Sequence, residues 1–342
     1  MIKNRYIIWI FLVATLLVLA LADLYAGSVP LSFSSVTHAL FRPAGTDEVW
    51  IILHRFRLPR MWTAVMAGMA LSVSGLLMQT TFRNPLAGPY VLGISAGASL
   101  GVAVLVLGFS SVLSFASGTL ATNTTIAVAA IAGATGVLLL IMTVSLRIRD
   151  IMTLLILGIM FGSAVTALVS ILQYFSNETM LKVFVVWTMG SLANVTGTQS
   201  LLLTLLVGGG VMLSFLLVKQ LNTLLMGEGY ARSVGMEIRC VRILIFLVTG
   251  VLAGAVTAFC GPIGFVGIVV PHIARMMLHT SDHRQVLPAT LLLGPSLLLL
   301  GDLLSHLPGG GSVLPINAVT AVLGIPLIIW MILQRQKLSS LM

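Results

Sequence analysis

Gly93-Ile94-Ser95-Ala96-Gly97 fits G-x-S-x-G, the spacing of a nucleophile elbow. In that motif a sharp turn between a strand and a helix exposes the serine hydroxyl for attack on a carbonyl carbon. Asp302 and His306, four residues apart, could imitate the acid and base of the same chemistry, but no nucleophile can be placed beside them. The surroundings of Ser95 speak for packing instead. It lies in an apolar helical run, and Gly93, Gly97 and Gly101 recur every four residues along one face. Small residues at that spacing let helix backbones approach closely. Gly158 and Gly162 repeat the spacing. All five glycines are read as helix-packing positions, and no catalytic residue is assigned.

Other chemistry is sparse. There is no H-E-x-x-H and no Cys/His cluster, so no metal site is expected. The 6 histidines mostly sit near helix ends, and the 17 methionines are scattered as packing or bilayer-facing residues would be. A G-x-x-x-x-G-K-[ST] loop is absent, which removes that route to ATP. Cys240 and Cys260 fall near opposite ends of one expected helix, about 30 Å apart at about 1.5 Å per residue, too far to pair. All 9 acidic residues lie in expected loops or at helix ends, Asp302 being the most embedded. An ion-driven carrier would normally show a central carboxylate, although backbone carbonyls can also bind sodium.

The elements that must carry these residues follow from composition. Of 342 residues, 58% are hydrophobic and 8% charged, with a net charge of +9. A soluble domain has about 25% charged residues. From Phe82 to Leu146 the only charge is Arg83, and Ile151–Asn177 and Val183–Val218 contain none. Each interval can hold a span of about 20 residues. The chain therefore reads as an all-α, polytopic membrane protein forming one transmembrane domain over 1–342. The alternating pattern of a β-barrel is missing. Spans are expected near 7–26, 61–81, 90–109, 125–146, 151–173, 198–218, 241–260, 263–278, 286–304 and 315–333. The first is too long for a signal-peptide core and is read as retained. The 32 uncharged residues between Arg242 and Arg275 are divided by Gly261-Pro262 into two helices.

With both termini cytoplasmic, only Arg42, Arg55, Arg57, Arg60 and Lys182 of the 18 basic residues fall outside, which leaves 13 inside. The bias satisfies the positive-inside rule and explains the net charge without nucleic acid. The longest charged inner connection is Lys219–Arg242. Leu221, Leu224, Leu225, Ala231 and Val234 give it an apolar face broken at Gly227 and Gly229. Two short helices forming a docking surface fit better than a plain loop. Arg60 precedes Gly68 by eight residues, as Arg242 precedes Gly250, a short match that suggests an inverted repeat. Together these features describe a permease powered by another protein. A secondary transporter and an intramembrane serine hydrolase are the competing classes.

Several motifs in order resemble the permeases of type II ABC importers for iron-siderophore, haem and vitamin B12. They are Arg57-Leu58-Pro59-Arg60, Ser74-Gly75 with Gln79, Arg83-Asn84-Pro85-Leu86-Ala87, Leu92-Gly93, Gly227-Glu228 with Ala231-Arg232, and Phe265-Val266-Gly267 with Pro271-His272. The resemblance covers nearly the whole chain. It implies ten helices and a second permease copy or a similar permease as partner, with two ATPase subunits below and one substrate-binding protein outside. ATP and Mg would reside on the ATPase, and no cofactor on this chain. It implies the bacterial cytoplasmic membrane, with lipid around the helices. It makes Leu224, Leu225, Gly227, Glu228, Ala231 and Arg232 part of the ATPase-coupling segment. Arg57 and Arg60 match outer arginines that meet glutamates of the binding protein. Without the resemblance, a helix cap or lipid contact is the simpler role for both. His306 stands where some members carry a further arginine, so docking would rest more on Arg57 and Arg60. Ferric siderophore is the first expected cargo, with haem and cobalamin as alternatives.

Overall fold

The structure is a computed structural model that describes residues 2–27, 29, 31–42, 45, 47–108, 119–148, 150–195, 197–307 and 313–339. The chain runs through α1 (Ile2–Tyr25), α2 (Phe33–Phe41) and α3 (Glu48–Ile52), then a π-helical turn (Leu53–Arg57) that leads directly into α4 (Leu58–Thr81). A 3-10 turn (Pro89–Leu92) opens α5 (Ile94–Ala103), which ends in a second π turn (Val104–Gly108). There follow α6 (Thr119–Ser145), α7 (Ile151–Tyr174), α8 (Glu178–Thr188), α9 (Gly197–Leu216), α10 (Val218–Leu225) and α11 (Glu228–Ser233). The last four are α12 (Ile238–Cys260), α13 (Val266–Leu278), α14 (His283–Ser305) and α15 (Ile316–Ser339). No strand occurs among the described residues.

Among the described residues, seven helices are long and apolar enough to cross a bilayer, and three apolar helices are shorter, Ile94–Gly108, Val266–Leu278 and Ile316–Met331. These correspond to the ten expected spans. The third departs most from expectation. Gly93 takes a left-handed conformation (φ 73°) between the 3-10 turn and α5, so that span is a bent composite, and position 109 lies outside the described residues. Arg149, one of the expected inner basic residues, also lies outside them. The amphipathic α8, an outer helix in the expected topology, was not anticipated.

Helix ends follow from local chemistry. Asp150 caps α7 by accepting from the Thr153 amide at 2.8 Å, and Asn177 caps α8 by accepting from Met180 at 2.9 Å. Gly261 ends α12 at φ 74°, and Pro262 prevents its continuation. The division of 241–278 into two helices is therefore present.

α4 is the axis of the fold, packed by α14, α12, α13 and α9. It can be enclosed because its neighbours meet it at glycine. A Cβ on Gly68 would overlap the Gly294–Pro295 backbone, and one on Gly75 would overlap the Gly267 carbonyl. Polar side chains on α4 satisfy themselves locally or across these contacts, as Ser72 Oγ does by donating to Thr290 O at 3.0 Å. α5 packs on α6 in the same manner. Gly97 and Gly133 face each other, each leaving no room for a Cβ, and Gly101 lies against Ala129 O. Gly158 on α7 lies against Val91 O, whereas Gly162 is looser, with Gly93 Cα at 4.0 Å from its would-be Cβ. Ser95 therefore sits in a packing helix, without the strand-turn-helix setting that a nucleophile elbow needs. Cys240 is exposed and Cys260 buried, and neither is in a disulfide.

Candidate functional site

Two regions at opposite ends of the helices carry polar chemistry. At the end that the expected topology places outside, Arg57 and Arg60 lie on the π turn and first turn of the continuous helix that becomes α4. Arg57 is 7% exposed. Its Nη1 donates to Leu24 O at 2.7 Å and Tyr25 O at 2.9 Å, and its Nη2 to Val29 O at 2.5 Å. These carbonyls lie at and just beyond the end of α1, where a helix leaves its last carbonyls unsatisfied. Arg57 is thus a cap for α1, and Gly27 leaves space for its guanidinium. The expectation of an exposed docking arginine does not hold for this side chain, because all its reach goes to backbone oxygens.

Arg60 points between α4 and α14. Its Nη2 donates to Asp302 Oδ1 at 2.6 Å, and its Nη1 contacts His306 Nε2 at 2.5 Å. The other ring nitrogen, Nδ1, lies 2.9 Å from Arg60 Nη2 and 2.8 Å from Asp302 O. His306 therefore holds Arg60 rather than standing free as a third docking residue. Asp23, from the last turn of α1, is buried against Asp302. A cavity of about 410 Å³ is lined by Asp23, Arg57, Arg60 and Asp302. A second, of about 710 Å³, shares Arg60 and Asp302 and adds Lys182, Trp187 and Asn194. Asp23 escaped notice in the sequence because it stands at a helix end. Its signal was available, as the one charge within an otherwise apolar span from residue 6 to 25.

At the opposite end, cytoplasmic in the expected topology, α10 and α11 form the two short helices expected over 219–242. Their apolar residues divide by direction. Leu221, Leu224 and Ala231 are buried against the membrane domain. Leu225 is 42% exposed, Met226 71%, Tyr230 52% and Val234 55%. Leu224 and Ala231 are thus corrected from a partner-facing role to anchoring, and Met226 and Tyr230 join the outward row. Gly227 adopts φ 114°, with Arg83 Nη2 close above it and donating to Leu224 O at 3.3 Å. Glu228 accepts from the buried Arg242 at 2.8 Å and lies 3.6 Å from the exposed Arg232.

α10 is also wired into the fold. Asn222 Nδ2 donates to Asp282 Oδ1 at 2.6 Å, and Asn222 Oδ1 accepts from the His283 amide at 2.9 Å. His283 Nε2 lies 2.8 Å from Thr80 Oγ1 on α4. The Asp282 carboxyl is held below its usual range, first by the Arg284 amide and then by Asn222. Its charged form therefore supports this junction at neutral pH, and that support is lost as pH falls through the depressed pKa. Beside it, Gln79 donates to Ile268 O at 2.9 Å and accepts from Arg275. Tyr90 Oη donates to Ile263 O at 2.9 Å.

The geometry is thus a glycine-packed helical axis with polar clusters at its two ends and two short helices carrying an outward apolar row. A family model described as the FecCD transport family matches residues 15–334. The chain belongs to that family. It is 35% identical over 331 residues to the hemin transport system permease protein HmuU of Yersinia pestis, covering 96% of each chain. It is 36% identical over 339 residues to the vitamin B12 import system permease protein BtuC of Escherichia coli O157:H7, covering 98% of each. A solved structure described as an inward-facing conformation of a metal-chelate type ABC transporter superposes with a TM-score of 0.82 at 28% identity, over 96% of this chain and 99% of that one. The chain is therefore a type II ABC importer permease and a multi-pass membrane protein, working with ATPases and a substrate-binding protein.

Proposed function

We propose that this chain carries a metal chelate inward across a bacterial cytoplasmic membrane by alternating access, with an iron(III)-siderophore as the first candidate. A chelate is the cargo class common to the relatives, since haem and cobalamin are also metal complexes of a large organic ligand. The names of HmuU and BtuC support haem or cobalamin as a second reading of equal standing.

The observation that carries the driven mechanism is the outward row Leu225, Met226, Tyr230 and Val234 on a segment tied to α4 and α12. In this reading two ATPase subunits dock on that row, one beneath each of two permease copies. ATP and Mg are bound by those subunits, and this chain carries no cofactor and no catalytic residue. Closure of the ATPases would pull on α10 and α11. The pull would reach α4 through Asn222, His283 and Thr80, and α12 through Glu228 and Arg242. The second copy meets this one along α7 and α15, whose exposed faces carry Ile159, Met160, Val322 and Ile329, and whose apolar stretches 151–174 and 316–331 contain no charged residue that would hold cargo tightly. Both termini lie in the cytoplasm, and one substrate-binding protein docks outside near Arg60.

The cargo is tested by recovering the substrate-binding protein that co-purifies with this chain and titrating it with ferric siderophores, haemin and cyanocobalamin by intrinsic fluorescence. Saturable binding of one of these would name the cargo. Binding of none of them would remove the metal-chelate reading.

A further inference from the structure

Arg60, the outer arginine assigned to docking, is not presented outward. Its side chain is 18% exposed, and its guanidinium is occupied by Asp302 Oδ1 and His306 Nε2. The other oxygen of Asp302, Oδ2, is buried and accepts from no N–H or hydroxyl group among the described residues. Asp23 is buried beside it and lines the same cavity as Asp302 and Arg60. The negative charge at this end of α14 is directed at Arg60.

The other charged groups around the pair do not change this balance. Arg57 faces Asp23, but its guanidinium donors are engaged by the carbonyls of Leu24, Tyr25 and Val29. Both ring nitrogens of His306 face Arg60, Nε2 at 2.5 Å from Nη1 and Nδ1 at 2.9 Å from Nη2. Lys182 lines the second cavity and not the first. The first cavity, of about 410 Å³, is roomy enough for an incoming side chain and is bounded by Arg60 itself.

We propose that Asp302, backed by Asp23, is an internal substitute for the acidic surface of the substrate-binding protein. In the undocked permease it keeps Arg60 turned in. On docking, a carboxylate of the partner enters the cavity and takes Arg60 from it. This rests on the reading that Arg60 meets the binding protein. The new ion pair is offset by the cost of leaving Asp302 buried without its cation, so little net affinity is gained. A partner that must leave in every transport cycle needs that balance. The exchange also selects for an acidic side chain, because a neutral one cannot displace Asp302.

The test uses the full-length permease in lipid nanodiscs and the substrate-binding protein that co-purifies with it, with docking followed by surface plasmon resonance at low salt. Asp302→Asn keeps the shape and removes the charge. Association about threefold or more faster than wild type is expected. Arg60 should also be modified faster by phenylglyoxal, as read by peptide mass spectrometry. Slower or unchanged docking would overturn the proposal, because Asp302 would then position Arg60 rather than compete for it. Should Asp302→Asn fail to fold, His306→Ala removes the second hold on Arg60 and is expected to shift both readings in the same direction. Arg60→Glu separates the two layers of inference. If it weakens docking while Asp302→Asn changes nothing, the docking role stands and the substitute role falls. If Arg60→Glu docks as wild type does, the docking role fails and takes the proposal with it.

Discussion

Arg242, at the start of α12, is buried with its Nη2 2.8 Å from Glu228 Oε1 on α11. At the opposite face Arg60, at the start of α4, is held 2.6 Å from Asp302. The two arginines paired by the weak sequence repeat therefore end alike, each fastening the head of a central helix by an ion pair. The repeat does not extend further, since Gly68 meets the backbone of α14 while Gly250 meets the Leu138 side chain.

Breaking the inner pair should loosen the coupling segment. Glu228→Gln is expected to cost about 1–2 kcal/mol, because the pair is buried on one side only. Thermal unfolding in detergent would show a lower midpoint, and limited proteolysis would cut sooner between α11 and α12. An unchanged midpoint together with unchanged proteolysis would mean that the pair holds nothing in place.

The two leucines at the end of α10 should separate by direction. Leu225→Asp adds a charge to the outward row and should abolish ATP-driven uptake while the fold survives. Leu224→Asp buries a charge in the membrane domain and should lower stability by several kcal/mol. Uptake assays paired with melting curves test this, and uptake by Leu225→Asp at the wild-type rate would remove the row from the ATPase interface.

The outer arginines should likewise part. Arg57→Met leaves three backbone carbonyls without their donor and is expected to cost about 1–3 kcal/mol. Arg60→Glu leaves the buried Asp302 without its cation and sets a like charge beside it, so it should also lower stability; in the folded protein it should slow docking of the binding protein, most at low salt, where the Debye length is longest. A salt-independent effect of Arg60→Glu would argue against a charge contact.

Helix axes and their glycine contacts make the sharpest contrast in stability. Gly75→Ala forces a Cβ into the Gly267 carbonyl and should cost more than about 3 kcal/mol or prevent folding. Gly209→Ala, on the open face of α9, meets nothing within 4 Å and should gain about 0.5–1 kcal/mol from helix propensity. Equal melting midpoints for the two would contradict this glycine packing.

Much of this architecture was legible in the chain. Uncharged intervals place the helices, because about 20 apolar residues in helical form match the thickness of a bilayer core. Gly261-Pro262 divides 241–278, because a left-handed glycine followed by proline stops a helix. Direction was less legible. Leu224 and Leu225 are adjacent and equally apolar, and only the approach of α4 decides which one is buried. Arg57 looked like a surface charge because its partners are backbone oxygens 28 to 33 residues earlier, which no side-chain pattern announces. Asp23 and Asp302 are 279 positions apart (302 − 23), and their contact depends on α1 packing against α14.

The central claim is that a separate ATPase drives this permease through the α10–α11 segment. The most direct measurement is purification of the chain from its native membrane in a gentle detergent, with quantitative mass spectrometry of what accompanies it, for wild type and for Leu225→Asp. A protein carrying a Walker A motif, in equal amount with the wild type and depleted with Leu225→Asp, is the predicted result. A chain that comes down alone, under conditions that keep other ABC complexes whole, would contradict it.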